Sequence, residues 1–400
     1  MTIDYLLIGQ GLCGTFLSYE LEKAGRSFIV IDEANPLSAS RVASGIINPV
    51  TGRRIVKTWM IDQLLPFAAD TYKHLEEKLD VRCCEQTSIT DFFPTPQMRL
   101  AFLERFTEHS EYLSIPGNES SWSEVFRYDF GFGNISPCLL VDLAGLLGRY
   151  RQFLQASGWL LDERFRLQDL VVRADGIQYN GITASRVLFC DGISSVENPW
   201  FNRLPFAPNK GEALVLDIPE LPTRSIFKKG INLVPWKDGL WWAGSSHEWK
   251  FEDGQPTQLF RDKTEAQVKS LLKLPFRIED HLAAVRPATL ERRPFCGFHP
   301  AYPSIGIFNG MGTKGCSLAP FFARNLVEHV TSGSPLLPEA DISRFTNILT
   351  RAHSTRLAPA NSRLTTGLIL TKEFLLFCFP SIFHNHFKSS MTYERRKANV

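Results

Sequence analysis

A chain of 400 residues, 44% hydrophobic and 22% charged, has the composition of a folded protein long enough for two domains, which excludes intrinsic disorder. Its 44 lysines and arginines nearly balance 42 aspartates and glutamates, so no strong field gathers nucleic acid or anionic lipid, and small molecules are the expected partners. The eight cysteines are scattered, with no CxxC pair and no Cys/His ligand spacing, so buried free thiols, a reducing cytoplasm and no bound metal are expected.

The start, Met1-Thr2-Ile3-Asp4, lacks the basic segment of a signal peptide, so export is not expected. Tyr5-Leu6-Leu7-Ile8 is a short apolar run ending at a glycine, the pattern of a strand buried on both faces of a parallel sheet. Gly9-Gln10-Gly11-Leu12-Cys13-Gly14 follows at once, then Phe16, Leu17, Leu21 and Ala24 at helical spacing until Gly25. A second buried strand, Phe28-Ile29-Val30-Ile31, is closed by Asp32. In this order the glycines have separate roles. Gly9 permits the tight turn, Gly11 lets the backbone approach a pyrophosphate, and Gly14 lets helix and strand pack closely. The helix N-terminus offers unpaired N–H groups to phosphate. Asp32 stands where an acid accepts hydrogen bonds from a ribose 2′-OH, which predicts a dinucleotide and disfavours a 2′-phosphate.

The fingerprint does not separate FAD from NAD. The next segment, Ser38 to Pro49, is rich in small and hydroxyl residues, and Ser40 and Arg41 are placed to donate to phosphate; on chemistry alone a surface loop is an equal reading. Met60 to Arg82 reads as an amphipathic helix, residues 88–137 are mixed, and Val141 to Ser157 is a second helix. Short strands follow at Leu170-Val171-Val172, Gly176 to Tyr179 and Val187-Leu188-Phe189. Ala213 to Leu216, Ile231 to Val234 and Leu240 to Ala243 predict an antiparallel sheet wet on one side, and Thr264 to Leu274 a helix. Gly367 to Phe383 is apolar but interrupted by Lys372, Glu373 and Pro380, and is shorter than the ~20 residues of a membrane span. With the basic Arg395-Arg396-Lys397 behind it, the segment has the pattern of a peripheral membrane contact, but a packed terminal helix or a loose tail is the expectation.

Three blocks together resemble the D-amino-acid-oxidase superfamily of FAD-dependent oxidoreductases, the group of glycine oxidase, sarcosine oxidase and D-amino acid dehydrogenase. They are the Gly9 to Asp32 unit with the Ser40 to Gly45 loop; Leu188-Phe189-Cys190-Asp191-Gly192; and Arg286-Pro287-Ala288-Thr289 through Arg293 to Gly297 and on to Phe308 to Gly315. The resemblance spans roughly residues 3–332. It implies an α/β fold in which a Rossmann-like, glutathione-reductase-like FAD domain (1–60, 138–205 and 281–333) interleaves with an α+β substrate domain (61–137 and 206–280). That second domain carries a mixed, largely antiparallel sheet, and residues 334–400 form a C-terminal extension.

The resemblance further implies FAD held by Gly9, Gly11, Leu12, Cys13 and Gly14, by Asp32 and Glu33, and by Ser40, Arg41, Ala43, Ser44 and Gly45. Cys190, Asp191 and Gly192 join the set, as do Gly310, Gly312, Thr313, Lys314 and Gly315, with Val171 near the adenine. The implied chemistry is oxidation of a C–N bond of a small amino or imino acid by hydride transfer to the flavin. Arg286 matches the family arginine that clamps the substrate carboxylate; Lys314 would stabilise charge on the reduced flavin, and His247 is a candidate substrate contact. Two departures matter. Thr313-Lys314 replaces an arginine found in glycine oxidases, and no cysteine stands near Ala284-Val285-Arg286, where sarcosine oxidases attach their flavin, so FAD is expected to be non-covalent. Oxidation of a 2-hydroxy acid and flavin binding without turnover stay open; RNA is disfavoured for want of a basic run.

Overall fold

The computed structural model describes residues 1–118, 120–221 and 225–351; the apolar 367–383 segment and the basic cluster behind it lie outside the described residues. Strand β1 (Thr2–Ile8), helix α1 (Leu12–Lys23) and strand β2 (Phe28–Ile31) form in the expected order. β1 runs parallel to β2, with Tyr5 opposite Phe28 and Ile8 opposite Ile31, and parallel to strand Ile182–Phe189 on its other side. Successive side chains of β1 point to opposite faces. Tyr5 and Leu7 therefore join the core that contains Phe16 and Leu17 of α1, whereas Leu6 and Ile8 join a second core with Ile29, Val187, Phe189 and Phe201. Strand Tyr302–Asn309 adds a further parallel neighbour to Ile182–Phe189, and helix Gly315–Ser332 packs on α1.

Gly9 has φ of 99°, a region open to glycine, and a Cβ there would lie 2.7 Å from the carbonyl oxygen of Cys190. A Cβ on Gly14 would overlap the carbonyl of Gly9. These two positions let the helix approach the sheet edge closely, and no larger residue fits without moving backbone.

The second sheet is ordered Arg277–Arg286, Asn209–Asp217, Trp241–Gly244, Asn232–Pro235, Ile226–Lys228, Cys84–Phe92, Phe132–Val141 and Ile46–Ile47. Its pairs are antiparallel except Ile226–Lys228 beside Cys84–Phe92. The expectation of a face open to water is corrected: Lys210 to Leu216 and Trp241 to Gly244 are buried throughout. One reason is a helix, Gln258–Leu271, which starts six residues earlier than the sequence suggests because Thr257 caps it. It lays Phe260, Val268 and Leu271 on Leu214, Leu216 and Trp241. Each such burial is worth ~1.5–3 kcal/mol. Lys210 and Glu212 of Asn209–Asp217 are buried with partners: Glu212 accepts from Thr257 N and Oγ1 at 2.6 and 2.9 Å and lies 3.4 Å from Lys210 Nζ and 3.0 Å from His281 Nε2. Of the cysteines, Cys13, Cys83, Cys138, Cys190, Cys296 and Cys316 are buried free thiols and Cys84 is half-buried.

Candidate functional site

A cavity of about 940 Å³ opens beyond the carboxyl ends of β1, β2 and strand Ile182–Phe189, where open α/β sheets bind ligands, and extends to the second sheet. The glycine turn from Gly9 to Cys13, the Ser38 to Ser44 loop and Cys190 to Ser194 form one wall. Gly14, Gly45 and Gly310 stand just behind it as packing glycines; a Cβ on Gly45 would overlap the carbonyl of Val141. Ser40 Oγ accepts the Leu12 N–H at 3.1 Å, so the small-residue loop folds back over the start of α1. A second tie holds the same loop to the glycine turn, where Arg41 Nη2 donates to Gln10 Oε1 at 3.1 Å.

Asp32 ends β2 at the cavity. Its Oδ2 accepts from Gln10 N at 2.8 Å, and its Oδ1 accepts from Ala34 N at 2.8 Å and Arg151 Nη1 at 2.7 Å. A carboxylate has about four acceptor positions. Three are used, and one on Oδ2 remains for a ribose hydroxyl. Glu33 lines the cavity next to it. Val171 does not: it stands exposed on an edge strand, Leu170–Arg173, and Arg164, Phe165 and Leu167 line that end in its place. With the open glycine turn, the spare acceptor and the volume, these residues fit a dinucleotide such as FAD.

Asp191 lines the same wall, and its carboxylate accepts from the Ser195 hydroxyl. Asn309 Nδ2 in turn donates to Ser195 Oγ at 2.9 Å, and Asn309 Oδ1 accepts from Gly310 N at 2.8 Å. This chain joins the turn after Ile182–Phe189 to the glycine turn that precedes helix Gly315–Ser332. Loss of water pushes the Asp191 carboxyl up to about 6.

The opposite wall belongs to the second sheet and to residues 311–317. Arg286 ends strand Arg277–Arg286 and is half-buried. Its Nη1 donates to Asn209 Oδ1 at 2.8 Å and to Ser246 O at 3.3 Å, while Gly211 leaves the space its guanidinium occupies. Among the described residues no carboxylate pairs with Arg286, and loss of water alone lowers it to about 10, still a cation at neutral pH. Both protein contacts use Nη1, so Nη2 and Nε remain for a ligand.

Lys314 precedes helix Gly315–Ser332, whose first turn no side chain caps. It lines the cavity, donates to Thr58 Oγ1 at 3.0 Å, and is lowered to about 8 by loss of water and by Arg292 and Arg293. Arg293 itself stacks 3.9 Å over the Trp59 ring. Gly312, Thr313 and Gly315 complete this turn. His247 lies at the rim, exposed, and loss of water together with Arg286 and Arg292 holds it below the ordinary histidine value. Arg53 and Arg54 are exposed, while Lys57 is engaged with Asp62 at 2.8 Å and Glu111 at 3.4 Å.

Several lining residues go beyond those the sequence points to: Asn48, Thr51, Thr58, Gly211, Asn232 and Gln255. Gly211 carries a signal, since a glycine inside a strand marks a close approach. Trp242 also lines the cavity and donates Nε1 to Val42 O at 3.1 Å, tying the second sheet to the small-residue loop.

A family model described as "FAD dependent oxidoreductase" (DAO) matches residues 4–329. A glycine oxidase of Pseudomonas aeruginosa is 23% identical over 369 residues, covering 85% of this chain and 98% of that protein. The crystal structure of glycine oxidase from Geobacillus kaustophilus superposes with a TM-score of 0.70 at 16% identity, covering 88% of this chain and 99% of the other. Iminodiacetate oxidase from Chelativorans sp. BNC1 does so with a TM-score of 0.68 at 19% identity, covering 86% and 98%.

Proposed function

Because the chain belongs to the DAO family of FAD-dependent oxidoreductases, we propose that it oxidises the C–N bond of a small amino or imino acid whose carboxylate is held by Arg286. The observation that carries this reading is the Arg286 guanidinium: half-buried, fixed through Nη1 by Asn209 and Ser246, without an acid partner among the described residues, and open to a carboxylate through Nη2 and Nε. Two parallel charge-assisted hydrogen bonds fix both the position and the tilt of a substrate. The similar glycine and iminodiacetate oxidases act on molecules of this kind.

Bound FAD supplies the two-electron acceptor, so the substrate loses a hydride from carbon and a proton from nitrogen, leaving an imine that water hydrolyses. The chain's residues orient and tune. Gly9 to Gly14 and Asp32 would hold the cofactor's pyrophosphate and ribose, and the Ser40 to Gly45 loop and Cys190 to Gly192 would also contact it. The uncapped start of helix Gly315–Ser332 offers N–H groups and partial positive charge, which would stabilise negative charge on the reduced flavin. His247, neutral at neutral pH, is the acceptor on offer for the ammonium proton that must leave before the carbon gives up its hydride. Cys13, Cys190 and Cys316 line the cavity, but burial raises all three thiols, which keeps them un-ionised and supports a non-covalent cofactor. Among the described residues no helix is long and apolar enough to cross a membrane. The seven cysteines among the described residues are free thiols, which favours a reducing compartment, and on that ground we place the reaction in the cytoplasm.

The test is anaerobic mixing of the FAD-loaded protein with a panel of amino, imino and 2-hydroxy acids. Bleaching of the flavin band by amino or imino acids supports the reading; bleaching by hydroxy acids alone, or by none, overturns it.

A further inference from the structure

The acids lining the cavity are confined to one wall, which also carries Arg41 and Arg164. All four lining acids, Asp32, Glu33, Asp191 and Glu197, follow strands of the first sheet. The wall made by the second sheet and residues 311–317 carries Arg286, Lys314 and the rim histidine His247, and no acid. Neither cation is neutralised by the protein among the described residues: Arg286 meets only Asn209 and Ser246, and Lys314 meets only Thr58. The charges acting on Lys314 are those of two further cations, Arg292 and Arg293. Removing a cation from water without a counter-ion is costly, and a ligand that brings the counter-charge recovers that cost on binding. One carboxylate answers one cation. The cavity lining also includes the neutral polar side chains of Asn48, Thr51, Asn232, Ser245 and Gln255, which offer hydrogen bonds to a polar substrate.

We propose that the substrate is an amino or imino dicarboxylate, its first carboxylate on Arg286 and its second on Lys314. This deepens the reading of Arg286 as the substrate clamp and rests on it. The competing role for Lys314, compensating charge on the reduced flavin alone, makes a different prediction: it lowers the reduction potential in a Lys314 variant without distinguishing one carboxylate from two.

The experiment uses the FAD-loaded protein and measures the change in flavin absorbance on adding unreactive acids, malonate, succinate and glutarate against propionate, butyrate and valerate. Anaerobic reduction by both enantiomers of aspartate and glutamate and by iminodiacetate is then compared with reduction by glycine, alanine and sarcosine. Dicarboxylates are expected to bind at least about tenfold tighter than monocarboxylates of matched length, the factor that one charge-assisted contact brings. Lys314→Met should erase most of that ratio and Lys314→Arg should restore it, which separates loss of charge from loss of structure. Equal binding of the two classes, or a ratio unmoved in Lys314→Met, overturns the proposal. Reduction by monocarboxylic amino acids but not by dicarboxylic ones overturns it while leaving the C–N reading standing. Reduction by hydroxy acids only overturns both.

Discussion

Gly211→Ala is expected to disable the clamp while leaving the cofactor in place. Gly211 pairs with Ala284 across the two strands that carry Asn209 and Arg286, and a Cβ there would overlap the Arg286 guanidinium. The obstacle is the far end of a flexible side chain and no backbone atom, so the sheet keeps its register and the guanidinium pivots away. In doing so it gives up the 2.8 Å bond to Asn209 that sets its direction. A displaced guanidinium loses at least one of two hydrogen bonds to a carboxylate, and a hydrogen bond to a charged group is worth ~1.5–3 kcal/mol. That corresponds to a fall of ~10- to 150-fold in kcat/KM, appearing chiefly as a raised KM. Stopped-flow reduction of the flavin gives the apparent Kd and the limiting rate separately, and the absorption spectrum gives FAD content. A variant with full FAD and a Kd within about twofold of wild type would refute the assignment of Arg286 to substrate.

Gly14→Ala should abolish FAD binding, because its Cβ meets the Gly9 carbonyl and backbone must move at the pyrophosphate turn; a purified variant with full flavin content would contradict this. Asp191 has its carboxyl raised to about 6, so the folded state holds its proton more tightly than the unfolded state. Its contribution is fully present below about pH 4 and is lost as pH rises through about 6, at a cost of at most ~3 kcal/mol. Asp191→Asn should flatten that part of the FAD-free protein's melting-temperature profile, and an unchanged slope between about pH 4 and 7 would disprove it. Lys314, lowered to about 8 in the free protein, should make malonate binding weaken as pH rises through about 8. Lys314→Arg should remove that limb, measured by flavin difference spectra.

The fold is most legible where its causes are local. The β1–α1–β2 unit is announced by two apolar runs, three glycines and an acid within thirty-two residues, and each acts inside that span. The second sheet is harder to read for a physical reason. Lys210 and Glu212 have the side chains of solvent-facing positions, yet both are buried because Glu212 finds Lys210, His281 and Thr257 in the folded chain. His281 and Thr257 lie on other elements, and no window of sequence shows them beside Glu212. Resemblance points to Arg286 and Lys314 but not to their surroundings. Asn209 acquires its meaning from an arginine 77 residues further on, and Thr58 from a lysine 256 residues further on. Resemblance also puts Val171 at the adenine, but the chain turns so that Arg164, Phe165 and Leu167 reach the cavity instead.

Arg286 is the residue on which the proposed reaction most directly depends. Single-turnover anaerobic reduction of FAD-loaded Arg286→Leu by the best amino or imino acid should show an apparent Kd raised ~100-fold or more, as expected when two charge-assisted hydrogen bonds are lost, with one FAD still bound per chain. Reduction at wild-type affinity, or loss of FAD in step with loss of substrate, would contradict it.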